Sequence, residues 1–446
     1  MNLTELKKNV WLYFSKASFI GIVVVYFLAL FLTTSISDES TSGNIYAISI
    51  GFFIVITSIW GSFSLSNALL SELRNRTWVY QKMSAISALD MSFGKLFGPT
   101  AMHWLVGAIF LSIATLASFS SRDHSLLSLF HLFLGTLFLH ASSLVLSLLV
   151  VRQKQDSPDT TNLSGRPFLL IAFFLILKAI ASSFKTDLND FTWYGLAINS
   201  DFFETLSLLV FAIWAILGVY RNMREELQYQ NLPNYWVAFN VFVVFYFSGL
   251  VFKEVHEGVY TVFNGLFAFA FAMHVLLTVL TLFLEPINFM DYLQFFKNWG
   301  KKSWEKIYAS MPLWVFSLAF SFALCLVLSL QMLVDKSLNL GEEESYSFLY
   351  PLVAFMFLLK SLLVNLFLHL KQTKKANFVW FLYLALWYGL LPATIGGLFS
   401  AYGLFLFYPA NVILSGSASV FYVLFMLWLI RKELKNGEAS ELIKSA

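Results

Sequence analysis

Apolar runs free of acidic residues, Glu204 excepted, recur along the chain, near 18–34, 45–70, 100–119, 126–151, 167–184, 202–220, 236–252, 259–284, 313–334, 346–370, 377–399 and 411–430. A bilayer is crossed by about 20 apolar residues. In hydrocarbon each backbone N–H and C=O must be paired within its own segment, so runs of this length predict helices. Residues 377–430 carry no charge, which is too long for one span. The Gly396-Gly397 and Tyr408-Pro409 breaks place a turn between two. The pattern predicts an all-α polytopic membrane protein with twelve transmembrane helices.

Composition excludes the alternatives. Of 446 residues, 58% are apolar and only 12% are charged. A soluble domain carries about 25% charged residues, and without them its surface could not be covered. A net charge of +3 is too small to imply a nucleic-acid partner. The single cysteine, Cys325, excludes an intrachain disulfide and a cysteine-based metal site. Lys7 and Lys8 precede the first run in the manner of a leader, but residues 1–17 are too long and too aromatic for one. The first run is expected to be retained.

Charge fixes the sidedness. With the N-terminus in the cytoplasm, four of the 29 Lys and Arg fall in outer loops (Arg122, Lys185, Lys253, Lys336) and two inside runs (Lys178, Lys360). All the others lie in inner connections, as positive-inside topology demands. Both termini are then cytoplasmic. The two long inner connections, 71–99 and 285–312, fall between spans 2 and 3 and between spans 8 and 9. They are equivalent positions if the chain is cut into six-span halves, 1–232 and 233–446. An even span number per half makes the repeat parallel, about an axis along the membrane normal. If the halves do not pair in this way, a second copy of the chain is needed to close a pathway.

Leu3, Leu6, Val10 and Phe14 recur at helical spacing with Lys7, Lys8 and Lys16 around them. Phe289, Leu293, Phe296, Trp304 and Ile307 do the same beside Lys297, Lys301 and Lys302. Both segments predict helices lying in the cytoplasmic interface.

Residues 71–99 contain few turn formers and mix Arg74, Arg76 and Lys82 with Leu73, Trp78, Met83 and Ile86. Glu72 stands five before Thr77, and Gly94-Lys95 begins seventeen after it. This stretch resembles the cytoplasmic loop of ABC-2 type permeases, the membrane subunits of type V ABC exporters. There a short interfacial helix and two spans precede E-x-x-x-G-T and a later G-K. The family's glycine before the Thr is Arg76 here, and the resemblance covers about the first 120 residues. It implies that Glu72, Arg74, Arg76, Thr77, Gly94 and Lys95 belong to a coupling loop that docks on a separate ABC ATPase subunit. It also implies a bacterial inner-membrane location. The counterpart, Glu285-Pro286 with Gly300-Lys301, has a shorter spacing. The chain lacks G-x-x-x-x-G-K-[ST], its nearest approach being Asn298 to Ser303. It binds no cofactor of its own in this reading, and ATP with Mg belongs to the partner subunit.

Lys360 falls in mid-span, where an ammonium costs at least ~2.5–3.5 kcal/mol unless it faces a polar interior. Ser361, Asn365 and His369 follow on one helical stripe. Lys360, Ser361 and Asn365 are therefore expected to face inward, as a substrate pathway or as a helix seam, with Leu358, Leu362 and Phe367 pointing elsewhere. Lys178 can snorkel to the outer interface. The histidines (103, 124, 131, 140, 256, 274 and 369) show no metal-ligand spacing. Pro392 breaks span 11 as a hinge or a kink.

The reading is a non-enzymatic permease. Its alternatives are a twelve-span secondary transporter and a membrane-embedded enzyme acting on lipid-linked substrates, for which Asp38 and Glu39 in the first outer loop are the acids available. The first lacks paired mid-span acids, and the second lacks the large outer loops such enzymes use.

Overall fold

A computed structural model describes residues 4–36, 41–83, 86–121, 126–154, 190–229, 231–251, 259–284, 292, 298, 301, 303–337, 347–371, 376–391, 394 and 412–445. The run 167–184 with Lys178, Asp38 and Glu39, Glu285-Pro286, Gly300, and the Pro392 and Gly396-Gly397 breaks lie outside them.

The described chain is helical apart from one hairpin. Eight helices are long and apolar enough to cross a membrane: Lys16–Ser35, Ser42–Arg74, Ala101–Phe119, Leu126–Leu149, Ser200–Glu226, Leu313–Val334, Tyr350–Leu370 and Val412–Lys435. Shorter apolar helices cover Phe267–Leu282 and Phe378–Tyr388. Large apolar side chains such as Phe31, Leu116, Phe421 and Leu424 stand outward on these helices. In water that surface would drive aggregation; against acyl chains it is at home. The protein is an integral membrane protein.

The chain divides into two compact units, Met1–Phe191 with Ala197–Asn231, and Thr192–Leu196 with Leu232–Ala446. In the first, helix α1 (Thr4–Tyr13) leads into α2 (Lys16–Ile36). Next, α3 (Thr41–Phe52) runs through a π-helical stretch, Phe53–Trp60, into α4 (Gly61–Arg74). Then come α5 (Thr77–Lys82), α6 (Ala88–Phe97), α7 (Ala101–Ser121), α8 (Leu126–Lys154) and α9 (Ser200–Glu226). Helix α3 packs on α7, and α8 on α9. One part of this unit closes over Tyr26, Phe53, Val106 and Phe110, with Tyr26 and Ser49 hydroxyls 2.7 Å apart. Another part closes over Leu65, Leu69, Trp78, Met91, Leu144 and Met223. A π-turn displaces the regular ladder, and here His140 meets the Thr57 carbonyl at 2.9 Å.

The second unit holds α10 (Asn234–Val251), α11 (Val259–Leu284), α12 (Trp304–Ser310), α13 (Leu313–Ser337), α14 (Tyr350–Leu370), α15 (Ala376–Ala385, continued by a π-turn at Leu386–Leu390) and α16 (Val412–Ser445). Helix α11 packs on α13, and α14 on α16. Helix α14 is the most buried of the eight long helices. Its Leu362, Leu363 and Leu366 join Leu282, Trp314 and Met426 in one core. The hairpin β1 (Asp190–Trp193) and β2 (Leu196–Asn199) turns at Tyr194-Gly195, both with positive φ, as a two-residue turn requires. Its tip belongs to this unit, with Tyr194 donating to the Phe245 carbonyl at 2.7 Å.

The helix expected at the N-terminus forms as α1. Its polar residues Glu5 and Asn9 are buried on the protein, while Trp11 and Leu12 are exposed.

Candidate functional site

In the first unit, two close-set pairs bring α1 against α6. Glu5 and Asn9 lie one turn apart on α1, and Gly94 and Gly98 one turn apart on α6. A Cβ on Gly94 would stand 2.7 Å from Glu5 Cγ, and one on Gly98 would stand 2.3 Å from Asn9 Cβ. Only glycine permits this approach. Asn9 Nδ2 then donates to the Gly94 carbonyl at 3.1 Å and to Glu5 Oε1 at 3.0 Å.

The contact encloses a small ionic cluster. Lys95 reaches Glu5 Oε1 at 2.8 Å and pairs with both oxygens of Glu72. Lys8 bonds Glu5 at 2.9 Å and stands 3.9 Å from Glu72. Glu5, Glu72 and Lys95 are all buried. Burial acts to raise the Glu5 carboxyl, but the charge and hydrogen bond of Lys95, joined by those of Lys8, outweigh it and hold Glu5 below its ordinary value. Two carboxylates and two ammonium groups leave the cluster formally neutral, which is the condition for burying it. Tyr13 closes its rim at 3.1 Å from Ser71 Oγ. Burial raises the Tyr13 phenol, and the Glu72 charge adds to this.

The loop beyond Glu72 turns outward. Arg76 takes a left-handed conformation, φ 57°, where glycine is the residue of least strain. Its position is the one where the permease motif carries glycine. Thr77 Oγ1 donates to the Glu72 carbonyl at 3.1 Å and fixes the bend. Arg74, Asn75, Arg76 and Thr77 are exposed, as are Val79, Tyr80 and Met83. Trp78 alone points back, its indole N–H 3.4 Å from Glu226, which also pairs with Lys82.

The six loop residues singled out from the sequence therefore separate. Glu72, Gly94 and Lys95 form a buried base, and Arg74, Arg76 and Thr77 form an exposed tip. Sequence reasoning missed Glu5, Lys8, Asn9 and Glu226. The matched spacing of Glu5–Asn9 with Gly94–Gly98 was the available signal.

In the second unit Lys360, Ser361 and Asn365 all turn inward on α14. Leu362 is buried as well, contrary to the expected division of faces. A central helix has no lipid side to assign. The Lys360 ammonium lies among five rings: Trp387 at 4.3 Å, Tyr422 at 4.7 Å, Tyr388 at 5.0 Å, Phe357 at 5.2 Å and Tyr383 at 6.0 Å from their centroids. Trp380 donates to the Ser361 carbonyl at 2.8 Å, and Tyr388 to the Phe357 carbonyl at 3.0 Å. These bonds lock the walls of the box to α14. Each ring face contributes about 0.5–2 kcal/mol to a cation, more when water is excluded. A few such contacts equal the ~2.5–3.5 kcal/mol that an insertion scale assigns to mid-bilayer lysine. The rings thus offset much of the cost of burying an ammonium there.

No family model, no curated protein and no solved structure matches this chain.

Proposed function

We propose that the chain is the permease subunit of an ATP-driven exporter of the ABC-2 type. In this reading it provides the cargo pathway and couples to a separate ABC ATPase subunit that holds ATP and Mg. The observation that carries the reading is the tip of the 71–99 loop. Arg74 and Arg76 stand exposed beside Val79, Tyr80 and Met83, on a base anchored by Lys95, Glu72 and Glu5. A mixed basic and apolar knob on a stiff support suits transmission of a partner's movement into the spans. The left-handed Arg76 adds to the resemblance, because it occupies the motif's glycine position.

Packing within each unit supports two six-helix halves. Spans 2 and 3 pack together in the first unit (α3 on α7), and so do spans 4 and 6 (α8 on α9). Six spans later the same pairings recur, as α11 on α13 and α14 on α16. A parallel repeat would produce this correspondence. In this reading the chain has twelve spans and cytoplasmic termini in a bacterial inner membrane. Lys360, Ser361 and Asn365, inward on the central helix of the second unit, are placed for a pathway there.

The test reverses the charge of the tip in Arg74→Glu/Arg76→Glu, expressed with a P-loop ATPase that co-purifies with the parent chain. The variant should insert and melt like the parent yet fail to co-purify with the ATPase, and ATP-dependent efflux should stop. Undiminished co-purification would remove the docking role. Transport that persists without any ATPase would favour a secondary transporter.

A further inference from the structure

The rings around Lys360 are better matched to another occupant. A primary ammonium carries three N–H donors. Among the described residues none of the Lys360 donors meets an acceptor. Among the described residues five ring faces surround its ammonium instead, from Phe357 on the same helix, Tyr383, Trp387 and Tyr388 on the next, and Tyr422 on α16. Ring faces attract positive charge but accept hydrogen bonds poorly. A lysine buried there therefore leaves its donors idle. A cation whose nitrogen bears methyl groups has few or no donors to lose, spreads its charge over a larger apolar surface, and fills an aromatic box by the same attraction.

We infer that the box of Phe357, Tyr383, Trp387, Tyr388 and Tyr422 is a binding site for an N-methylated alkylammonium group, and that Lys360 is its tethered occupant in the unliganded protein. The ligand must displace the lysine head, which lies on a flexible four-carbon stem and can turn aside without moving the backbone. The tether acts as a built-in competitor. It keeps the box closed and the charge in place until a group with a stronger claim arrives. The chemistry is shared by a free quaternary ammonium compound and by the head group of a choline phospholipid, and the experiment separates the two. The site is read from the second unit alone and the test measures binding, so its outcome is independent of whether an ATPase docks on the loop.

The full chain is purified in nanodiscs, as the parent and as Lys360→Ala, which vacates the box. Thermal unfolding is followed in phosphatidylglycerol discs against tetramethylammonium and choline. Ammonium serves as the donor-bearing control, and 3,3-dimethylbutanol as a neutral compound of choline's shape. Lys360→Ala should show a saturable rise in melting midpoint with tetramethylammonium and choline but not with either control. The parent should need about tenfold more ligand, because its lysine competes. Trp387→Leu added to Lys360→Ala should weaken the response about tenfold. A rise in phosphatidylcholine discs without added ligand assigns the site to the lipid head group; a rise with free choline alone assigns it to a soluble cation. Equal stabilisation by dimethylbutanol would reduce the box to an apolar hole and overturn the inference, as would no response to any ammonium compound or lipid. If Lys360→Ala does not fold, saturable binding of labelled tetramethylammonium to the parent, lost in Trp387→Leu, replaces it. Its absence in a folded parent is equally fatal.

Discussion

Lys95 and Lys360 are buried to nearly the same degree, at 3% and 2% exposure. Lys95 is met by two carboxylates drawn from α1 and α4. Lys360 is met by no acid among the described residues and by five rings. Position across the bilayer accounts for the difference. At or beyond the ends of the long apolar helices a carboxylate is partly solvated before it pairs, so an ionic cluster costs little to assemble. At mid-depth a counter-anion would itself have to be desolvated, and a neutral ring supplies negative potential without that cost. The same side chain is thus secured by charge in one place and by quadrupoles in the other.

The sharpest break in this symmetry is Lys95→Met. Glu5 and Glu72 would face each other with only the half-exposed Lys8 between them. The loss should be about 3–5 kcal/mol, as when one partner of a buried pair is removed. The pH response should reverse as well. In the parent, Glu5 titrates below its ordinary value of 4.5. Its stabilising contribution is present above that value and is lost as pH falls through the depressed one. In Lys95→Met, protonating Glu5 relieves repulsion, so stability should rise as the pH is lowered. Melting curves from pH 7 to pH 4 distinguish the two slopes.

Gly98→Ala tests the geometry beneath the charges. Its Cβ would collide with Asn9 Cβ and the Gly94 carbonyl, both under 3.0 Å. Helix α1 should be pushed off α6 at a cost of about 1–3 kcal/mol. Faster proteolysis at the N-terminus reads the displacement, and an unchanged digestion pattern would contradict it.

On the other side of the comparison, Lys360→Met should cost less than about 1 kcal/mol, because an apolar isostere suits a ring-lined box. A double-mutant cycle of Lys360→Met with Trp387→Leu should return a coupling of about 0.5–2 kcal/mol. A coupling near zero would mean that the rings merely surround the lysine. The smallest effect belongs to the loop tip. Arg74→Glu/Arg76→Glu should move stability by no more than about 0.5 kcal/mol, since both side chains are exposed.

Much of this was legible in the sequence, and the failures share one cause. Unbroken apolar runs gave helices, and mid-span position gave the inward turn of Lys360, because both follow from local pattern and the bilayer alone. The ring box was not legible: Tyr383, Trp387 and Tyr422 look like any aromatic in a lipid-facing span until two other helices are folded onto α14. The roles of Glu5 and Asn9 were not legible either, because nothing local in the sequence marks which distant helix will fold onto them. Glu72 and Lys95 were found as a pair of interest, but their burial depended on α1 folding over them.

The contact between α1 and α6 has a consequence for how the chain is made. Asn9 and Gly94 are 85 residues apart. When Glu5 leaves the ribosome its partner Lys95 has not been synthesised, and the cluster cannot close until two spans have entered the bilayer. Until then Glu5 has only water and Lys8 to satisfy it. Closure comes as the third span begins. The ionic cluster is then also a record of order, completed only by a nascent chain whose first two spans have inserted as a hairpin returning to the starting side.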